Sequence, residues 1–121
     1  MRKKMILIAV GCAIGVAALL AAYLLTDFVP PDALTRMRMR ATQTRLLEYY
    51  SDKGGLPPRL ADLPHSKGNR DDSTVDGWGR PISYRVEDGK VILESMGRDG
   101  RPGGTGPDKD ISLSFDPSRT N

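Results

Sequence analysis

Three carboxylates share one glycine-rich stretch near the end of this chain, SMGRDGRPGGTGPDKDI over residues 95–111. Asp99, Asp108 and Asp110 offer hard oxygen donors, and five glycines let the backbone bend until carbonyl oxygens can turn inward. Those are the requirements of a calcium ion. Asp108 and Asp110 stand two residues apart, so an extended backbone points both the same way and lets them meet Asp99 across the loop. The stretch holds neither His nor Cys, which disfavours zinc and copper. The same composition also fits a solvated loop whose aspartates cap turns, and the residues alone leave both readings open. The run GGTGPD partly resembles a calcium-binding nonapeptide, but it occurs once and a β-helix needs several copies.

Other chemistries find little support. His65 is the only histidine and lies in a polar loop near no Ser or Cys nucleophile, which argues against a catalytic triad. Asp71 and Asp72 are adjacent carboxylates with no apolar segment to raise the pKa of either. The glycine loop lacks the Lys and Ser/Thr of a phosphate cradle and runs into a strand rather than a helix. The formal net charge of +3 does not by itself call for nucleic acid. Arg36, Arg38, Arg40 and Arg45 form the one basic concentration, and no aromatic residue interleaves with them before Tyr49 and Tyr50. That cluster reads as a solvated helix face or as a surface for lipid phosphates and acidic partners. The expectation is therefore no enzyme and no nucleic acid.

The elements that must hold the loop can be read from local patterns. Pro30, Pro31 and Asp32 stop the chain and restart it as a helix near residue 33, with Asp32 available to cap the first amides. Leu34, Met37, Ala41, Leu47 and Tyr50, broadened by Leu46, recur at roughly helical spacing and predict the buried stripe. Gly54 and Gly55 end the helix. Leu60 and Leu63 follow a proline-started turn and are expected to tuck against it, and residues 64–76 are polar loop. Trp78 reads as a core plug at the sheet edge. Three alternating runs, Ile82 to Val86, Val91 to Ser95 and Ile111 to Phe115, predict strands, the first two joined by a hairpin in which Gly89 takes positive φ. The tail from Asp116 is expected to fray. The fold class is α+β, one amphipathic helix packed on a small three-stranded antiparallel sheet.

Ahead of this head lies an uncharged run, MILIAVGCAIGVAALLAAYLL from Met5 to Leu25, that would span about 31 Å as a helix. It is longer than the apolar region of a cleavable signal peptide and reads as a retained anchor. Arg2, Lys3 and Lys4 precede it and Asp27 follows, which places the N-terminus in the cytoplasm and the head outside, with Tyr23 and Phe28 near the outer interface. The division is residues 1–29 for the basic start and anchor and 30–121 for the exported domain. Cys12 is the only cysteine and sits within the span, so no intramolecular disulfide forms. Ala9 to Cys12 only loosely matches a lipoprotein box, and Gly11 with Gly15 makes a weak GxxxG pair.

Three segments taken together resemble the major pseudopilin of type II secretion systems, the general secretion pathway G protein family. The run from Leu46 to Pro57 resembles the end of its pilin helix and the Tyr-x-x-x-x-Gly-x-x-Pro exit. Asp76-Gly77-Trp78-Gly79-Arg80-Pro81-Ile82-Ser83-Tyr84 resembles its entry to the sheet, and residues 95–111 resemble its calcium loop. The resemblance implies a pilin-like head with calcium held by Asp99, Asp108, Asp110 and a backbone carbonyl near Met96. It implies a single-pass protein of a bacterial inner membrane with a periplasmic head. Its partners would be other pseudopilins or secretion-machine components, further copies of the chain being one option. Gly106 stands where the family often carries an acid. Lys4-Met5 lacks the family's Gly-Phe junction and the span lacks its glutamate. A tethered periplasmic module that binds calcium without forming a fibre is the alternative reading.

Overall fold

Two helices precede three strands: α1 (Arg2–Thr26), α2 (Pro31–Lys53), β1 (Ser83–Glu87), β2 (Lys90–Ser95) and β3 (Ile111–Phe115). The computed structural model describes residues 2–26, 29–65 and 73–119. Phe28, Asp27 and the pair Asp71 and Asp72 lie outside them. Helix α1 is long and apolar enough to cross a bilayer, and its large apolar side chains are exposed throughout.

Helix α2 starts where two prolines fix the backbone. The cap position falls on Pro30, so Asp32 lies inside the first turn and pairs with Arg36 at 2.7 Å instead of capping from outside. The helix stops at Gly54, which takes φ 73° and donates its N–H to Tyr50 O at 2.8 Å. The sheet runs in the order β1-β2-β3, antiparallel throughout, with Leu93 of β2 opposite both Tyr84 and Leu113. The β1–β2 turn places two residues at positive φ, Asp88 at 50° and Gly89 at 76°, the combination that matches strand twist in a two-residue hairpin.

The α+β expectation holds, but the buried face of α2 follows the apolar stripe only in part: Leu46 is buried and Leu34, Leu47 and Tyr50 are half-buried, while the rest of the face is different. Thr35, Met39, Thr42 and Leu46 are buried, whereas Met37 is 61% exposed and Ala41 faces solvent. The reason is what α2 packs against. Besides the sheet it meets the backbone of the segment 73–77, whose polar groups need partners when covered. The Thr42 hydroxyl donates to Ser73 O at 2.7 Å, and Thr35 Oγ1 accepts the Gly77 N–H at 2.8 Å. Apolar periodicity cannot report a face chosen for its hydroxyls. The arginine cluster is divided in the same way. Arg38 donates to Asp76 O at 2.9 Å, and Arg45 to Ser73 Oγ at 2.8 Å and Pro64 O at 2.7 Å, so these two fasten loops rather than forming a free cationic face.

The core joins Met39 and Leu46 of α2 to Val91 and Leu93 of β2, with Leu60, Leu63, Ile82 and Ile111 closing its sides. Trp78, Tyr49 and Tyr84 pack on it from the rim. Residues 116–119 are ordered rather than frayed, since Pro117 is buried in a short helical turn, Pro117–Arg119.

Tyr84 supplies a test of this packing. Its hydroxyl donates to Pro57 O at 2.8 Å, and burial, followed by the neighbouring Tyr49, raises its pKa above 10.0. Its folded pKa exceeds the unfolded one, so the phenol's contribution is complete below pH 10 and disappears as pH rises through the folded value. Replacing Tyr84 with Phe is expected to cost about 1 kcal/mol at neutral pH and to flatten the loss of stability above pH 10. Melts between pH 7 and 11 read both effects, and an unchanged alkaline slope in the variant would count against this account.

Candidate metal centre

The loop between β2 and β3 is wound around the backbone of Asp108. Gly97 and Gly104 approach it so closely that a Cβ on either would lie 2.6 Å from Asp108 O, and both take positive φ, 69° and 90°. No other residue type fits either place without moving the backbone. The Arg98 N–H crosses the loop to Pro107 O at 2.9 Å. A short turn at Gly106–Asp108 then delivers the chain to β3.

The expected ligands are gathered in this loop but held differently. The Asp99 carboxylate accepts the Arg101 N–H at 3.0 Å, as an aspartate at a turn does. Both oxygens of Asp108 accept from Arg98, at 2.9 and 3.1 Å. Asp110 Oδ2 accepts the Gly103 N–H at 2.9 Å, while its Oδ1 is buried with no hydrogen-bond partner. Met96 is 41% exposed at the end of β2. Among the described residues no three carboxylate, His or Cys side chains converge as a metal-ligating group. Two observations nevertheless fit a hard cation: a buried carboxylate oxygen lacking a donor, and a glycine cradle that turns the loop inward.

The loop is anchored by a residue pair, Asp76 and Arg80. Asp76 is 1% exposed, and its carboxylate accepts the N–H groups of Trp78 and Arg80 at 3.0 and 2.9 Å and the Ser95 hydroxyl at 2.8 Å. It thereby closes its own turn and binds the end of β2, where the loop begins. Arg80 leaves that turn and donates to the carbonyls of Gly97 (2.6 Å) and Arg98. Gly100 lies against its guanidinium, since a Cβ there would come within 3.0 Å of Arg80 Cζ. The segment DGWGRP is thus the mount of the loop.

Residues 32–114, spanning α2, this mount and the loop, match the family described as type II secretion system (T2SS), protein G. The chain belongs to the type II secretion system protein G family. It is 34% identical over 89 residues to the type II secretion system core protein G of Xanthomonas campestris pv. campestris, a match covering 64% of this chain and 62% of that protein. The chain thus spans less than two thirds of the curated relative it matches. No solved structure matches it significantly.

Within this protein G family head, a sequence signal for Asp76 did exist. An Asp followed by Gly-x-Gly and a proline is turn chemistry, and a buried Asx turn needs the carboxylate to accept amides two and four residues on. What no local pattern carried was the third partner, Ser95, nor the two arginines that close the loop.

Proposed function

We propose that this chain is a structural subunit, or an assembly component, of a type II secretion pseudopilus, inserted by α1 in a bacterial inner membrane with its head in the periplasm. The observation that carries the reading is the family match over residues 32–114, which takes in the Asp76 mount and the glycine loop as well as α2. The relative bears the name of a secretion-system core protein, in keeping with a structural rather than a catalytic role. Helix α1 supplies an apolar span of the length such a subunit needs. Crosslinking of the full chain in membranes with other pseudopilins tests the assignment, and a head that crosslinks to none of them would end it.

The second part of the proposal is that calcium stabilises the head. Asp99, Asp108 and Asp110, with the Met96 carbonyl, would hold the ion, and the unpaired Asp110 Oδ1 is the feature of this chain that supports it. A bound ion would neutralise the loop's carboxylates and cross-link its two ends. The protein's own residues do the rest: the glycines admit the tight winding, and Arg80 keeps the loop seated on the Asp76 turn. Trp78 is the single tryptophan and lies in the head, so its fluorescence follows head melting. Calcium is expected to raise the melting temperature of the full chain in detergent by about 5 °C or more, and Asp99→Ala to abolish the rise. Identical melts with calcium and with a chelator would refute this part alone.

A further inference from the structure

Arg98 already occupies part of the place a metal ion would use. Its Nε and Nη2 donate to Oδ1 and Oδ2 of Asp108 at 2.9 and 3.1 Å, a two-pronged pair in which planar guanidinium meets planar carboxylate. The edge of Asp108 that could chelate a divalent ion is therefore filled by a side-chain cation. The same positive charge would also repel an ion bound nearby.

The pair is built to open. The Arg98 side chain is 61% exposed and that of Asp108 31%, so the guanidinium can be released to water at little desolvation cost. Its backbone does not have to follow, because the Arg98 N–H remains on Pro107 O and its carbonyl on Arg80. Asp110 Oδ1, two residues beyond Asp108, is left without a donor while Arg98 is engaged. The loop in this arrangement has one carboxylate satisfied by an arginine and another half satisfied.

Resting on the calcium reading above, we infer that Arg98 is a built-in competitor of the metal. Its guanidinium closes the loop on Asp108 when calcium is scarce, and a divalent ion takes the carboxylate and returns Arg98 to the surface. The head is then folded in both conditions, with Arg80 holding the loop on its mount in each. The arginine sets how much calcium is needed, and so acts as a positioning and affinity-setting residue rather than a ligand.

The full chain in detergent micelles is titrated with calcium chloride by calorimetry, and Trp78 melts are recorded in calcium and in chelator. Arg98→Gln is expected to bind calcium about fivefold more tightly than the natural chain, and to melt lower in chelator but show a larger rise with calcium. Arg98→Lys keeps the charge without the two-pronged geometry and is expected to fall between them; it carries the test should the glutamine variant not fold. If the natural chain binds calcium and the variants bind it equally or more weakly, the competition is overturned and the calcium reading stands. If none binds calcium, the calcium reading falls and this inference with it.

Discussion

Replacing Asp76 by alanine is expected to remove about 4 kcal/mol of the head's stability. The carboxylate is 1% exposed and accepts three hydrogen bonds, from the Trp78 and Arg80 amides and the Ser95 hydroxyl. Hydrogen bonds to a charged acceptor contribute about 1.5–3 kcal/mol each, and their loss leaves three donors facing a void from which water is largely excluded. Small domains have only about 5–15 kcal/mol in total, so the variant should be close to unfolding at 37 °C. Asp76→Asn preserves one acceptor oxygen and the side-chain volume and should lose about half as much. Denaturant unfolding followed both by Trp78 fluorescence and by far-ultraviolet circular dichroism separates local loosening of the turn from loss of the whole head. A cost below about 1 kcal/mol would mean that the Asp76 turn is not the mount of the loop.

Gly77→Ala is expected to lower the melting temperature by about 15 °C, and Gly79→Ala, two residues on, by only about 5 °C. The two glycines are required for different reasons. A Cβ at Gly77 would collide with Pro31 O and lie within 2.7 Å of two further backbone atoms, so the start of α2 must move away from the turn. That movement also breaks the Gly77 N–H bond to Thr35 Oγ1. Overpacking of rigid backbone costs about 3 kcal/mol at such a contact. Gly79 has open space around its missing Cβ and is held only by its φ of +85°, a conformational penalty of about 1 kcal/mol. Parallel thermal melts of the two variants check the ordering. Equal shifts would show that the approach of α2 to this turn is softer than its geometry indicates.

These two expectations and the arginine competition concern one assembly. The α2 start, the DGWGRP turn and the glycine loop are stacked, each holding the next through backbone groups or the Asp76 carboxylate: Thr35 to Gly77, Asp76 to Ser95, Arg80 to Gly97. Loosening the turn should therefore weaken the calcium binding proposed for the loop without touching a carboxylate of the proposed set.

Much of this protein could be read without its fold, and the parts that could share one property. The apolar span, the helix stop at Gly54, the two-residue hairpin at Asp88 and Gly89 and the three alternating strands each depend on contiguous residues. Chain length, glycine at positive φ and side-chain alternation are local physics. The loop was legible as glycine and aspartate for the same reason. Tertiary structure alone decided which side of α2 is buried, because Thr35 and Thr42 are chosen by carbonyl and amide groups of a segment more than thirty residues away. It also decided that Asp76 reaches Ser95 and that Asp108 turns to Arg98. A polar group takes whichever partner folding brings within about 3 Å, and that distance is written in the packing of remote segments rather than in the neighbouring residues.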